Sequence, residues 1–170
     1  MALQIGHRIS YDLELFGNRP FTPEEILDLV AGLGPVETSH KTANILILSI
    51  SEIKGDFVNY RHLPISDLIL NDNLRLLNLP YIADMKIGAI TGRGRKRDFF
   101  DLFFLLRQFS FSEIMNFYSL KYPDGNSWLV AKSIGYFTDA DEDEDPVLIE
   151  KLSWEKLKKT ISQHAITYFR

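Results

Sequence analysis

Asp12 and Glu14 stand two residues apart in the segment ISYDLELF. Tyr11, Leu13 and Leu15 share one parity there, and Ser10, Asp12 and Glu14 share the other. That alternation is the period of a strand, with both carboxylates on one face. Two acids so placed repel each other unless something positive lies between them. A divalent cation meets the need, and hard oxygen ligands suit Mg²⁺. The same spacing also fits a solvent-facing strand that carries two acids and no metal.

A second cluster lies in IADMKIGAITGRGRKRDFFDL. Arg93, Arg95, Lys96 and Arg97 crowd a glycine-bearing loop that leads into a helix, and cationic side chains beside free helix N–H groups make an anion site. Asp98 and Asp101 follow at i and i+3 in the first turns, where acids are favoured on dipole grounds alone. A solvated basic loop is the alternative reading. It is not a P-loop, because no GxxxxGK[ST] follows a strand. His7, His40, His62 and His164 are scattered without an HExxH spacing, and no Ser/His/Asp arrangement points to a hydrolase. Trp128 and Trp154 read as helix-core residues.

These residues must be positioned by a chain of 170 residues, 45% hydrophobic and 25% charged, which is ordinary globular composition. The net charge is −4. The acids Asp139, Asp141, Glu142, Asp143, Glu144 and Asp145 account for it, since without them the chain is slightly basic. This strip lacks the Gly and terminal Glu of an EF-hand loop and reads as a solvated linker. There is no Cys, so disulfides and Cys-ligated zinc are excluded. NILILSI and DLFFLLRQF are too short to span a bilayer, and MALQIGHRIS lacks a signal-peptide core, so a cytoplasmic protein with no membrane contact is expected.

The pattern predicts a helix end over residues 2–7 and a strand from Ile9 to Phe16. A helix follows from Thr22, with Pro23 and Glu25 as capping signals, to Ala31. Asn44 to Ile53 reads as a buried strand, Lys54-Gly55-Asp56 as a hairpin turn, and Phe57 to Arg61 as the return strand, ended by Pro64. Asp67 to Asn73 reads as a connection, and Arg75 to Leu77 as a short extra strand. Helices are expected from Pro80 to Ile90, Lys96 to Phe109 (apolar face Phe99, Leu102, Phe103 and Leu106), Ser112 to Leu120, Ser127 to Phe137, and from the Ser153 cap to Tyr168. The fold class is α+β: residues 1–79 form a small mixed or antiparallel sheet with flanking helices, and residues 80–170 a C-terminal helical bundle.

Taken in order, ALQIGHRISYDLELF, GDFVNYRHLPI and ADMKIGAITGRGRKRDFFDLFFLL resemble the AbiEii-type nucleotidyltransferases. These are a bacterial branch of the polymerase-β-like nucleotidyltransferase superfamily, many of them toxins of toxin–antitoxin pairs. The resemblance rests on an HRxSxDxE strand combined with KxxA and RxxxRDxxDL, and it covers nearly the whole chain. It implies that Asp12 and Glu14 bind Mg²⁺, that Arg8 and Ser10 lead into them on the substrate side, and that Lys86 contacts nucleotide phosphates. Asp101 matches the acid of the RDxxDL motif, with Asp98 beside it, and Arg93 and Arg97 match the basic positions.

The implied reaction takes an NTP and transfers a nucleoside monophosphate to an RNA, tRNA included, or to a protein, with an antitoxin as partner. The family's Gly-Gly or Gly-Ser turn is expected before the first helix. Met1 falls inside that helix, so an N-terminally truncated member is expected, with an open sheet edge beside the Asp12 strand that invites self-association. A third acid of the later strand falls, on this alignment, at the neutral Asn59. The rival reading is a catalytically impaired descendant that binds nucleotide, RNA or a protein partner.

Overall fold

The computed structural model describes residues 1–60, 62 and 67–170. Two compact units are formed, Ser10–Leu63 and Met1–Ile9 with Pro64–Arg170. Together they give the α+β class expected, with a four-stranded mixed sheet, a two-stranded sheet and a helical C-terminal part.

The first unit holds β1 (Asp12–Gly17), β2 (Val36–Lys41), β3 (Ile45–Ile50) and β4 (Ile53–Asn59) in the order β1-β4-β3-β2. β1 runs parallel to β4, and β4–β3 and β3–β2 are antiparallel. The hairpin turn lies at Ser51-Glu52, not at Lys54-Gly55-Asp56. Both turn residues have positive φ, 48° and 71°, which a two-residue hairpin turn with the right twist requires. Lys54, Gly55 and Asp56 are therefore residues of β4. Arg61 and Pro64, expected to end this strand, lie outside the described residues. β2 had no signal in the sequence, because VETSHK shows almost no apolar alternation.

Helix α2 (Pro23–Val30) opens with the expected capping box: Thr22 accepts from the Glu25 N–H, and the Glu25 carboxylate accepts from the Thr22 N–H. Its apolar side packs Val30, Ile26 and Leu27 on Leu46, Leu48 and Phe57 of the sheet. Leu13 and Leu15 of β1 remain exposed, at 60% and 45%. β1 and β2 are the two edge strands of this sheet among the described residues.

The second unit contains α1 (Ala2–Ile5), a hairpin of β5 (Ile69–Asn71) and β6 (Leu74–Leu76), and α3 (Leu79–Gly92). It continues with α4 (Lys96–Leu105), α5 (Phe111–Lys121), α6 (Ser127–Ile134), α7 (Thr138–Asp141) and α8 (Trp154–Phe169). The hairpin replaces the connection and single strand expected there. Its turn residue Asp72 has φ 52°, a conformation that Asp tolerates better than most residues. Asn78, Ser110, Asn126 and Ser153 each cap their helices by accepting an N–H of the first turn.

α4 is buried all round rather than on one face. Every residue from Asp98 to Leu105 is inside, packed among Ala83, Ile87, Ile114, Val130, Ile134, Leu157 and Ile161. Two acids on such a helix are thereby taken out of water and must be partnered. Trp154 does lie against this core, on Phe99 and Phe100, but Trp128 is 70% exposed with Lys132 over its ring. The acidic strip is also fastened, not free. Asp143 accepts from the Lys96 N–H and pairs with Arg95, and Asp141 accepts from Trp154 and pairs with Lys158. Among the described residues no helix is long and apolar enough to cross a membrane.

One further ion pair is buried between α3 and α5. Lys121 Nζ lies 2.5 Å from Asp84 Oδ1, with the ammonium 3.6 Å from the centre of the Tyr81 ring. Burial pushes the Asp84 carboxyl up to about 7 against the opposing pull of Lys121, and burial pushes Lys121 down. Between the ordinary carboxylate range and about pH 7 the folded state therefore carries a proton at Asp84 that the unfolded state has lost. Stability from this group is present below that window and declines as pH rises through it, by up to about 1.4 kcal/mol per unit. Asp84→Asn cannot ionise, so urea midpoints measured from pH 4 to 7 should fall less steeply for the variant than for the wild type.

Candidate functional site

Register decides which carboxylates share a face. In the parallel β1–β4 pair, Asp12 lies opposite Lys54 and Glu14 opposite Asp56. Directly paired residues project from the same side of a sheet, so Asp12, Glu14, Lys54 and Asp56 occupy one face. The Lys54 ammonium confirms it, lying 3.4 Å from Asp12 Oδ2 and 3.4 Å from Asp56 Oδ1. Asp56 Oδ1 is buried and makes no hydrogen bond. Ser10 precedes the strand and is exposed.

The third carboxylate that the β1–β4 pair places on this face is Asp56, and the assignment of that position to Asn59 is corrected. Asn59 pairs with Gly17 at the far end of β4 and has the opposite parity to Asp56, so it projects from the other face. It is buried there, donating from Nδ2 to Asn44 Oδ1 at 3.0 Å. The misplaced hairpin turn caused the error, because it removed Asp56 from the strand. Had the turn been placed at Ser51-Glu52, the alternation of Ile53, Gly55 and Phe57 with Lys54, Asp56 and Val58 would have shown it.

Carboxylate oxygens are the ligand type that suits Mg²⁺, but the chemistry of the donors is all that these three side chains share with such a site. Among the described residues no three acids or histidines are drawn together at metal-ligand spacing. The cation lying among these carboxylates is the Lys54 ammonium.

The remaining residues singled out in the sequence form a second constellation, inside the helical unit. Asp101, with no exposed surface, accepts four contacts. His7 Nε2 and Arg8 Nε reach Oδ1 at 2.7 and 2.8 Å, and Arg8 Nη2 and Lys86 Nζ reach Oδ2 at 3.1 and 2.8 Å. Asp98, equally buried, takes Lys86 Nζ at 3.0 Å and Arg93 Nε at 3.2 Å. Lys86 thus bridges the two acids one helical turn apart on α4, as i and i+3 spacing allows. Burial alone would raise the Asp101 carboxyl, but Lys86, His7 and Arg8 outweigh it and hold the group far below the usual carboxylate range.

Asp101 does orient Lys86, and Arg93 belongs to the same network through Asp98. Arg8 grips Asp101 as a bidentate fork from the segment that pairs with residues 147–149. Arg97 is the exposed residue of α4. His7 was passed over in the sequence because a lone histidine carries no spacing signal. It is buried, packed on Phe104 at 4.8 Å, and its Nδ1 has no hydrogen-bond partner.

This mixed sheet with its acid-bearing parallel strand pair, followed by helices, is a nucleotidyltransferase-like fold. Two solved structures share it: JHP933 from Helicobacter pylori and an H. pylori protein provisionally named a nucleotidyltransferase. The first superposes with a TM-score of 0.53 at 16% identity, over 94% of this chain and 75% of its own. The second does so with a TM-score of 0.54 at 17% identity, over 94% and 78%. In sequence the chain is 31% identical over 149 residues to the Aquifex aeolicus protein aq_aa25, which is itself uncharacterized; the match covers 84% of this chain and 72% of the relative. The chain belongs to the family of aq_aa25. No family model matches it.

Proposed function

We propose that this protein is a nucleotidyltransferase of the AbiEii toxin type, which transfers a nucleoside monophosphate from an NTP to an RNA, tRNA included, or to a protein. The observation that carries this reading is Asp56 beside Glu14, since it completes a three-carboxylate face with Asp12 on the parallel strand pair.

In the proposed reaction an acceptor hydroxyl oxygen bonds to the α-phosphorus. The bond from that phosphorus to the pyrophosphate oxygen breaks, and the hydroxyl proton leaves to solvent or to a carboxylate. Asp12, Glu14 and Asp56 are the residues that would hold Mg²⁺, which when bound would supply charge neutralisation on the phosphate oxygens and activation of the attacking hydroxyl. Lys86, fixed by two buried acids, presents a positive charge to the NTP phosphates, and Arg93 and Arg97 extend that charge toward an RNA backbone. Ser10 leads into the carboxylates on the substrate side. Arg8, gripped on Asp101, acts as a positioning residue.

A bacterial cytoplasmic setting with an antitoxin as protein partner belongs to the same reading. The open edge of β1, with Leu13 and Leu15 uncovered, supports binding of a further chain, a second copy included. One observation favours the rival, a catalytically impaired protein that only binds nucleotide or RNA: Lys86 is already engaged by Asp98 and Asp101.

Titration of Mg²⁺-NTP into wild type, Lys86→Ala and Asp56→Asn tests the reading. Binding by the wild type that weakens at least about tenfold in each variant is expected, the size of one lost charge-assisted contact. Equal, weak, salt-insensitive binding by all three proteins would remove the nucleotide site.

A further inference from the structure

The basic loop before α4 already holds anions, and they come from the chain's own acidic strip. α4 begins at Lys96, and its N-cap residue Arg95 supplies no side-chain cap. Asp143 supplies one from 47 residues away. Its Oδ2 accepts from the Lys96 N–H at 2.9 Å, and its Oδ1 accepts from Arg95 Nη1 at 2.6 Å. The Lys96 side chain is buried under the same strip, its ammonium 3.1 Å from Asp145 Oδ1 and 3.5 Å from the Asp141 carbonyl oxygen. The hydrogen bond from the Lys96 N–H holds the Asp143 carboxyl below its ordinary range, so the group there is a carboxylate. A backbone N–H at a helix start and an arginine beside it are donors that phosphate oxygens also take. A carboxylate of this chain therefore stands where the phosphate of a polyanion would contact the loop.

We infer that the acidic strip is an autoinhibitory strap, in which Asp143 and Asp145 occupy Arg95 and Lys96 and must be displaced before RNA binds the basic loop. The inference rests on the RNA-facing role proposed for that loop and names what regulates it. The strap is anchored at both ends. Asp141 is held by Trp154 and Lys158, and residues 147–149 pair with His7, Arg8 and Ile9. Between these anchors the hold on the loop is weak, since Arg95 and Asp145 are 61% and 72% exposed and such ion pairs are worth little. A strand that brings several phosphates outcompetes them by releasing counterions along its length. Only the stretch around Asp143 has to move, while both anchors stay in place. Two acids of the strip take no part: Glu142 and Glu144 are exposed and form no ion pair among the described residues. A strip that repelled RNA by its charge alone would act equally through them. The strap acts through Asp143 and Asp145.

The test is binding of fluorescein-labelled single-stranded polyuridine, read by fluorescence anisotropy with no nucleotide or metal present. Salt is set at about 0.15 M, where charges more than about 8 Å apart are largely screened. Wild type is compared with Asp143→Asn/Asp145→Asn, with Glu142→Gln/Glu144→Gln, and with Asp143→Asn/Asp145→Asn/Arg95→Gln. Asparagine still accepts the capping hydrogen bond, so the first double variant keeps its fold, with circular dichroism as the check. It should bind the RNA about three- to tenfold tighter than wild type, the size of the exposed ion pairs released. The glutamate variant removes the same charge from the same strip and should gain less than about half as much. Arg95→Gln should cancel the gain, because it removes the cation that the strap covers. Equal affinity of wild type and Asp143→Asn/Asp145→Asn, an equal gain in the glutamate variant, or a gain that survives Arg95→Gln overturns the strap and leaves RNA binding standing. Absence of RNA binding from wild type and Asp143→Asn/Asp145→Asn alike, in folded proteins, removes both the strap and the RNA-facing role of the loop.

Discussion

Asp101→Ala should lower the unfolding free energy by about 3–5 kcal/mol, the range for removing one partner from a buried charge network. The carboxylate is fully buried and receives His7, both arms of Arg8 and Lys86. Alanine removes the charge and the volume together. Arg8 then loses the anion its fork grips, and Lys86 loses one of its two buried acids and keeps Asp98, which already holds Arg93. Against a domain stability of about 5–15 kcal/mol this is a large fraction. Asp101→Asn should cost less, because the amide oxygen still accepts one of the donors. A second change, Arg8→Met added to Asp101→Ala, should restore part of the loss by removing the stranded guanidinium. Urea unfolding of the four proteins measures this; a cost below about 1 kcal/mol for Asp101→Ala would show that the network is solvated in solution.

Asp56→Asn should reduce nucleotidyl transfer about 10²- to 10³-fold while leaving the fold intact, since the change is isosteric and removes one charge from the proposed metal face. Asn59→Asp is the informative contrast. It adds an acid at the position the sequence alone suggested, but on the opposite sheet face, where it strands a charge beside Asn44. It should therefore destabilise the protein and should not restore activity to Asp56→Asn. Initial rates at saturating NTP, with thermal unfolding as the control, separate the two. Full activity in Asp56→Asn would exclude it as a ligand of the reaction's metal.

The contrast also shows what a single sequence carries. Helix starts were legible because capping is local: Thr22 with Glu25 and Ser153 are read within four residues. The face shared by Asp12 and Glu14 was legible for the same reason, since strand alternation is local. Asp56 was not, because its membership of that face depends on a register set by a turn with positive φ at Ser51 and Glu52, two residues with no special preference for it. Asp98 and Asp101 read as ordinary first-turn acids. Their burial follows from α4 being enclosed on every side, which no property of the helix itself announces. The hold of His7 and Arg8 on Asp101 spans more than ninety residues of chain and had no local trace.

Transfer of label from each α-³²P-labelled NTP, with Mg²⁺ and total RNA, to RNA or to protein tests the central claim most directly. The account predicts label in acceptor from at least one NTP, dependent on Mg²⁺, abolished by chelation and reduced at least about a hundredfold by Asp12→Asn or Asp56→Asn. Wild-type protein that binds Mg²⁺-NTP but transfers no label from any of the four, on RNA or protein, would contradict it and assign the fold a binding role instead.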